Sequence, residues 1–392
     1  MIEYLQSNLI LSFYHSKLKF SQLPGLQETK STLRRAVRQS HVAHALLFDG
    51  PPGGGGLALA LALATYINCE DRGEEDSCGV CASCVKMNKL VHPDLHSIFP
   101  LPRAPKDGED LLGELTPLWR GFLGESPFRT LPEWLEFIKA TSNQQGIIPI
   151  KEARAIIGKL SLKSFESEYK IMILWQPELM NLQAANALLK ILEEPPAKTL
   201  FLLVTEQSDR LITTIISRTQ RLVVPAFQDE DVVEYLQKHH NTDPTRARRI
   251  AYLCDGDLSA AKQLLSEKED ESHAWFIEWM RECYKRDIVR LVKRADTFDG
   301  LSKDKQKAIF DYALRLFRDM LLWTQDAGEL LRVPEDELDF VQKFSKAVPA
   351  ASLEPMITEI NEAYYHVERN VRAKMVFLDL SLTTLRLFQK TA

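Results

Sequence analysis

Residues 45–67 read ALLFDGPPGGGGLALALALATYI, which is a short apolar run, a glycine-rich turn and a long run of alanine and leucine. The apolar run Ala45–Phe48 is typical of a buried strand that ends at a turn. The alternation of leucine and alanine after the turn could indicate a second strand. Alanine and leucine are strong helix formers, however, and the alternating run lacks β-branched residues, so we predict a helix. The order strand, glycine loop, helix is the context of a phosphate-binding loop.

The loop keeps the glycines of the G-x-x-x-x-G-K-[ST] motif and lacks its phosphate and metal ligands. In that motif backbone N–H groups and a lysine hold the phosphates, and a hydroxyl holds Mg²⁺. Here Gly56 stands at the lysine position and Leu57 at the hydroxyl position. Losing one buried charge partner costs about 2 to 5 kcal/mol, which weakens binding by about 30-fold or more. We therefore predict a degenerate loop that does not support ATP hydrolysis, formed by Gly50, Gly53, Gly55 and Gly56.

Composition indicates an ordinary globular protein. The chain has 392 residues, of which 45% are hydrophobic and 26% charged, enough for two or three domains. Its net charge of -5 gives no basic field, so strong independent binding to nucleic acid is not expected. Residues 1–19 form a leader in which Glu3 stands where a signal peptide is basic, and no apolar run reaches the length of a membrane span. We expect a cytoplasmic protein without membrane contact.

Four of the six cysteines are spaced as C-x8-C-x2-C-x2-C. In a cytoplasmic chain this clustering favours a metal site over disulfides, because thiols stay reduced there. Four thiolates suit a closed, tetrahedral Zn²⁺ site that has a structural role. The alternative is four free cysteines in a loop. The predicted ligands are Cys69, Cys78, Cys81 and Cys84, whereas Cys254 and Cys283 fall in helical patterns and are expected in the core.

The pattern of elements predicts an α/β fold followed by an all-α region. Residues 170–176 and 199–206 read as fully buried parallel strands, and residues 181–194 between them read as a helix. Residues from about 99 to 146 interrupt this alternation and are interpreted as an insertion with two short helices, a surface elaboration or partner contact. From Asp229 onward only helical patterns occur. We expect long helices at 275–293 and 305–323, and the helical pattern continues over 353–389 to the C-terminus.

The run Ala185–Pro196, ANALLKILEEPP, followed by Ser217-Arg218, resembles the bacterial DNA polymerase III clamp-loader family of AAA+ proteins. The resemblance covers nearly all the chain apart from the insertion and the leader. It implies a P-loop-type parallel sheet with helices on both faces at residues 20–228, a helical lid at 229–268 and a helical collar for oligomerisation at 269–392. The cysteine spacing at 69–84 also resembles the zinc module of that family.

Within this family some subunits are ATPases and others are not. ATPase subunits carry Asp-Glu after the second buried strand, where the carboxylates orient Mg²⁺ and the attacking water; here Trp175 and Gln176 occupy those places. The polar neutral sensor position of the motors corresponds to Glu206. The arginine that motors offer from the lid corresponds to Ser259. These departures imply a subunit that does not hydrolyse ATP.

Arg218 matches the arginine that the family projects into the ATP site of a neighbouring subunit, where a guanidinium stabilises the transferred phosphoryl group. Thr219 replaces the cysteine of the family's Ser-Arg-Cys motif. The alternative for Arg218 is a surface salt bridge. The resemblance implies a ring of five with gamma/tau and delta subunits, acting on a sliding clamp and primed DNA. Two other functions stay open: a motor-type clamp-loader ATPase and a stand-alone zinc-containing DNA-binding protein.

Overall fold

A computed structural model describes residues 18–141, 144–160, 163–266, 272–333 and 335–389. Apart from Leu18 and Lys19, the predicted leader lies outside the described residues. The chain forms two compact units. One comprises the residues up to Ala247 together with Cys254–Gln263, and the other comprises Arg248–Leu253 and the residues from Leu264 onward.

The first unit is built on a parallel β-sheet, as predicted. Its described strands are β1 (Ala45–Asp49), β2 (Leu95–Ile98), β3 (Lys170–Trp175), β4 (Thr199–Thr205) and β5 (Gln220–Val223), in the order β2-β3-β4-β1-β5. All residues of β3 and β4 are buried, so both faces of the sheet are covered there. Polar and partly exposed residues obscured the short strands β2 and β5 in the sequence pattern.

Eleven helices are described in or at the boundary of the first unit. They are α1 (Gln27–Arg38), α2 (Gly56–Ile67), α3 (Ala82–Asn88), α4 (Leu111–Glu125), α5 (Leu131–Phe137), α6 (Ile150–Leu160), α7 (Leu182–Glu193), α8 (Thr213–Ile216), α9 (Asp229–His240), α10 (Pro244–Cys254) and α11 (Leu258–Ser266). Helix α2 is buried along its whole length, which explains its composition of alanine and leucine. Helix α10 contributes Arg248–Leu253 to the second unit. The proposed domain boundaries at residues 228 and 268 stay predictions.

The insertion is more than a surface elaboration, because its helices supply part of the core. Trp119 and Phe122 of α4 and Trp134 of α5 are fully buried. The ring of Trp119 lies 5.1 Å from that of Trp175 at the end of β3. Aromatic side chains bury the largest areas of all residue types, so these contacts fix the insertion on the sheet. Sequence periodicity located both helices but could not show what they contact.

The second unit is all-helical within the residues that the structure describes, as expected. Its helices are α12 (Ser272–Lys285), α13 (Ile288–Asp299), α14 (Lys303–Thr324), α15 (Glu335–Ala347), α16 (Ala350–Glu368) and α17 (Ala373–Gln389). The prediction of one helix over residues 275–293 is wrong. Arg286 adopts a left-handed φ of 58°, and the carboxylate of Asp287 then caps α13 by accepting from the backbone N–H of Arg290 at 3.1 Å. A similar left-handed residue, Asn370, divides the run 353–389 into α16 and α17.

Buried tyrosine–carboxylate pairs lie between the helices of the second unit. The hydroxyl of Tyr252 donates to Asp319 at 2.7 Å, and that of Tyr312 donates to Glu337 at 2.5 Å. Burial raises the pKa of Asp319 above its usual range. Among the described helices of the chain, none combines the length and the apolar character needed to cross a membrane.

Candidate functional site

The glycine loop joins β1 to α2, as the motif requires. Gly53 adopts a left-handed φ of 64°, which favours glycine. A Cβ atom at Gly55 would lie 2.4 Å from a methyl carbon of Leu26, and one at Gly50 would lie 2.8 Å from the carbonyl oxygen of Val224. Intramolecular packing therefore explains these glycines without any bound phosphate.

The space beside the loop is small. The cavity there has a volume of about 20 Å³. A single water molecule needs about 10 to 15 Å³, so the cavity has room for about one. Its lining includes Gly50, Gly53 and Gly56 of the loop, together with Phe128 and Arg129 of the insertion. The insertion thus reaches the place where a phosphate-binding loop would meet its ligand.

One carboxylate, that of Glu206, lines this cavity. Glu206, at the predicted sensor position, follows β4 and lines the cavity. Burial, followed by the nearby carboxylates of Glu178 and Asp257, raises the pKa of Glu206 to about 7, against a hydrogen bond with Gln176 that lowers it. With this raised pKa the Glu206 carboxylate is only partly ionised at neutral pH, and the motif supplies no lysine to meet the charge of a polyphosphate. Trp175, which stands at a predicted magnesium-ligand position, is fully buried among aromatic rings.

Asp257 is the residue of this site that sequence reasoning missed. Its carboxylate caps α11 by accepting from the backbone N–H groups of Ser259 at 2.8 Å and Ala260 at 2.9 Å. The same carboxylate lies against Gly53, because a Cβ atom there would be 1.7 Å from Asp257 Oδ1. The backbone N–H of Leu258 also donates to the carbonyl oxygen of Gly53 at 3.1 Å. An aspartate just before an apolar helical pattern is a typical capping residue, so the sequence indicates this role. The contact of Asp257 with the loop has no such signal in the sequence.

Arg218 lies on the surface of the first unit, directly after α8. Its side chain is 33% exposed. One guanidinium nitrogen donates to the carbonyl oxygen of Thr214 at 3.0 Å, and another forms an ion pair with Glu193 at the end of α7. Thr219 turns its hydroxyl inward to the carbonyl oxygen of Ile215. The guanidinium is partly accessible and forms a surface ion pair, and its action on a neighbouring subunit stays a prediction.

The four cysteines predicted as ligands come together. Their sulfur atoms all lie within 4.8 Å of one another, and those of Cys78 and Cys84 are 3.9 Å apart. A tetrahedral zinc ion with Zn–S distances of about 2.3 Å requires sulfur atoms about 3.8 Å apart, so the cluster fits such an ion. Backbone N–H groups point at the sulfurs of Cys69, Cys78 and Cys81. Within the described ranges this is the one group of three or more cysteine, histidine or acidic residues placed to hold a metal.

His92 lies near this cluster, at a pocket that Cys69 also lines. Its Nδ1 accepts the backbone N–H of Asp94 at 3.1 Å, so in the neutral ring the proton is on Nε2, which lies 3.0 Å from the hydroxyl of Ser167. Such an imidazole donates to the serine and cannot act as its base. The Asp94 carboxylate accepts three backbone N–H groups of residues 165–167 instead of orienting the histidine. The three side chains therefore do not form a catalytic triad.

Comparison with known proteins agrees with this architecture. A family model described as "DNA polymerase III, delta subunit" matches residues 25–228. Over 346 residues the chain is 26% identical to DNA polymerase III subunit delta' of Bacillus subtilis, covering 87% of this chain and 91% of that protein. It is 27% identical over 308 residues to subunit delta' of Yersinia pestis, covering 77% of this chain and 76% of that protein. It is also 23% identical over 384 residues to subunit tau of Bacillus subtilis, covering 92% of this chain but only 60% of that relative.

Proposed function

The chain belongs to the DNA polymerase III delta-subunit family, and we propose on this basis that it is a delta-prime-like clamp-loader subunit without ATPase activity of its own. One observation carries the second half of the proposal. The space beside the glycine loop measures about 20 Å³ and is lined by Glu206, with no lysine or hydroxyl in the motif positions. A motor-type role, the first alternative, would need a site that admits MgATP.

Arg218 is proposed to act as an arginine finger on a neighbouring subunit. A guanidinium is always charged at neutral pH and matches the geometry of phosphate oxygens, so it can stabilise charge that develops on a transferred phosphoryl group. Support comes from the Ser217-Arg218 motif and from the partly exposed guanidinium. The ion pair with Glu193 would hold the side chain ready and then exchange its carboxylate for a phosphate oxygen.

The four cysteines are proposed to hold a structural zinc ion. Burial raises the pKa of the Cys69 and Cys84 thiols and so disfavours their thiolate forms. A bound cation would offset this effect and stabilise four thiolates at such short distances. When bound, zinc would cross-link the loop around Gly79 to α3. With four thiolate ligands it would have no free coordination position for catalysis. Cys81 already fixes the start of α3 by accepting from the backbone N–H of Cys84.

The partners follow from the same proposal. We expect a hetero-pentamer with gamma/tau and delta subunits, in which the proposed collar at residues 269–392 mediates assembly and the proposed lid at 229–268 completes the nucleotide-binding fold. Through that complex the chain would act on a sliding clamp and primed DNA in the cytoplasm. The net charge of -5 argues against the alternative of a stand-alone DNA-binding protein.

Reconstitution with gamma/tau and delta subunits tests the proposal. Arg218→Ala should lower turnover at the ATP site that it faces by about 10³-fold or more, since a finger supplied in trans has that effect. Assembly, measured by size-exclusion chromatography, should stay intact. Arg210→Ala is the matched control, because Arg210 is also exposed and bonds only within its own turn, to Gln207 at 2.8 Å. Equal ATPase rates for the two variants would overturn the finger assignment.

A further inference from the structure

The segment Pro127–Glu133 of the insertion, which we call the plug, lies over the glycine loop. Pro127, Phe128 and Arg129 line the small cavity opposite Gly53 and Gly54. Phe128 is only 4% exposed, so this side chain anchors the plug in the first unit. Nothing in the proposed function requires the insertion to occupy this place.

Aromatic contacts connect the plug to the loop and to α9. The ring of Phe128 packs edge to face against Phe227 and against Tyr235 of α9, with centroids 5.7 Å apart in both pairs. Phe227 in turn faces the loop, because a Cβ atom at Gly55 would lie 3.3 Å from its ring. Such aromatic pairs stabilise a packed arrangement beyond the area that they bury.

Polar contacts connect the plug to α11. The carboxylate of Glu133 accepts hydrogen bonds from the hydroxyl of Ser259, near the start of α11, and from the backbone N–H of Thr130 at 2.7 Å. Lys262, one turn further along α11, donates to the carbonyl oxygen of Glu125 just before the plug at 3.5 Å. Ser259 is the residue at the position where motor subunits are expected to offer an arginine.

Arg129 makes the plug rigid instead of offering a cation to phosphate. Its guanidinium lies 4.4 Å from the ring centre of Phe122 and forms ion pairs with Glu125 at 2.6 Å and Glu133 at 3.7 Å. Both carboxylates and the aromatic face therefore satisfy its charge inside the insertion.

We propose that the plug is an internal ligand of the degenerate site: it fills the phosphate position and holds α9 and α11 against the glycine loop in place of a nucleotide. Three independent contacts converge on this conclusion, namely the cavity lining, the Phe128 ring pairs and the Glu133–Ser259 hydrogen bond. The first unit therefore keeps one closed arrangement that MgATP does not change.

Hydrogen–deuterium exchange on the isolated full chain tests the plug, with and without millimolar MgATP. In the double variant Phe128→Ala and Glu133→Ala, amide protons of α11 should exchange about tenfold faster or more, because a buried aromatic contact and the hydrogen bond between Glu133 and Ser259 are lost. Exchange in β3 and β4 should not change. Glu109→Ala is the matched control, because Glu109 lies in the same insertion but pairs with Arg103 at 2.6 Å.

Ser259→Ala provides a second route if the double variant fails to fold, since it removes only the contact from α11. It should also speed exchange in α11, by a smaller factor. Rates in α11 that match the Glu109→Ala control in both variants would overturn the proposal, as would protection of the loop by MgATP in the unmodified chain. The outcome is independent of the Arg218 experiment, which needs the assembled complex.

Discussion

Glu206 is expected to make the first unit less stable as the pH rises, and Glu206→Gln should remove this effect. The pKa of its carboxyl is raised from 4.5 to about 7 in the folded chain, first by burial and then by Glu178 and Asp257. Between pH 4.5 and about 7, the Glu206 carboxyl is therefore protonated in the folded state and ionised in the unfolded state. The contribution of Glu206 to the free energy of unfolding is therefore fully present below pH 4.5 and is lost as the pH rises through about 7.

The size of the effect follows from the two pKa values. One pKa unit corresponds to about 1.4 kcal/mol, so the ionised Glu206 side chain costs about 3 kcal/mol at pH 8. For a unit of about 250 residues, 1 kcal/mol shifts the melting temperature by about 2 to 4 °C. Glu206→Gln should therefore raise the melting temperature of the first unit by about 6 to 12 °C at pH 8, and by much less at pH 5.

Differential scanning calorimetry at pH 5, 6 and 8 measures this gain. Glu136→Gln is the matched control, because it makes the same change of side chain at an exposed position of α5. The expected curve for Glu206→Gln rises between pH 5 and 7 and then levels off. A gain of the same size at all three pH values would refute the assignment of a raised pKa.

Three further substitutions test other parts of the structure. Gly56→Lys restores the motif lysine but should give no binding of MgATP in a calorimetric titration, and binding at millimolar concentration would contradict the closed cavity. Cys84→Ser should lose the zinc found by elemental analysis and lower the melting temperature of the first unit; an unchanged metal content would argue against the cluster. Tyr252→Phe removes the hydrogen bond to Asp319 and should destabilise the second unit by about 1 to 3 kcal/mol in urea unfolding, whereas the exposed Tyr284→Phe should have little effect.

Local patterns in the chain predicted much of the fold. The buried strands β1, β3 and β4 stood out as apolar runs, and α2 stood out through its alanine and leucine residues. The break at Arg286 was missed, because a single residue in the left-handed region does not interrupt a helical pattern of apolar positions. The strand β5 was missed because half of an edge strand faces solvent and therefore carries polar side chains.

The candidate site was predictable only in part. The lost ligands of the loop were readable because each motif position has a fixed place in the chain, and the cysteine cluster was readable because its members are close in sequence. Glu206 was indicated by the family resemblance, whereas the position of Asp257 beside the loop depends on how the start of α11 packs, and no spacing rule contains that information.

Residue order alone was sufficient for the strand–loop–helix unit, the absence of its phosphate ligands and the grouping of four cysteines, since these depend on neighbours along the chain. The arrangement around the loop needed the folded chain. Phe128 lines the cavity beside the loop and Asp257 lies against Gly53, although the two residues come from distant segments. Glu133 reaches α11 in the same way, through the hydroxyl of Ser259. The energies of these contacts depend on distances between side chains in the folded chain, which a linear pattern of residue types does not specify.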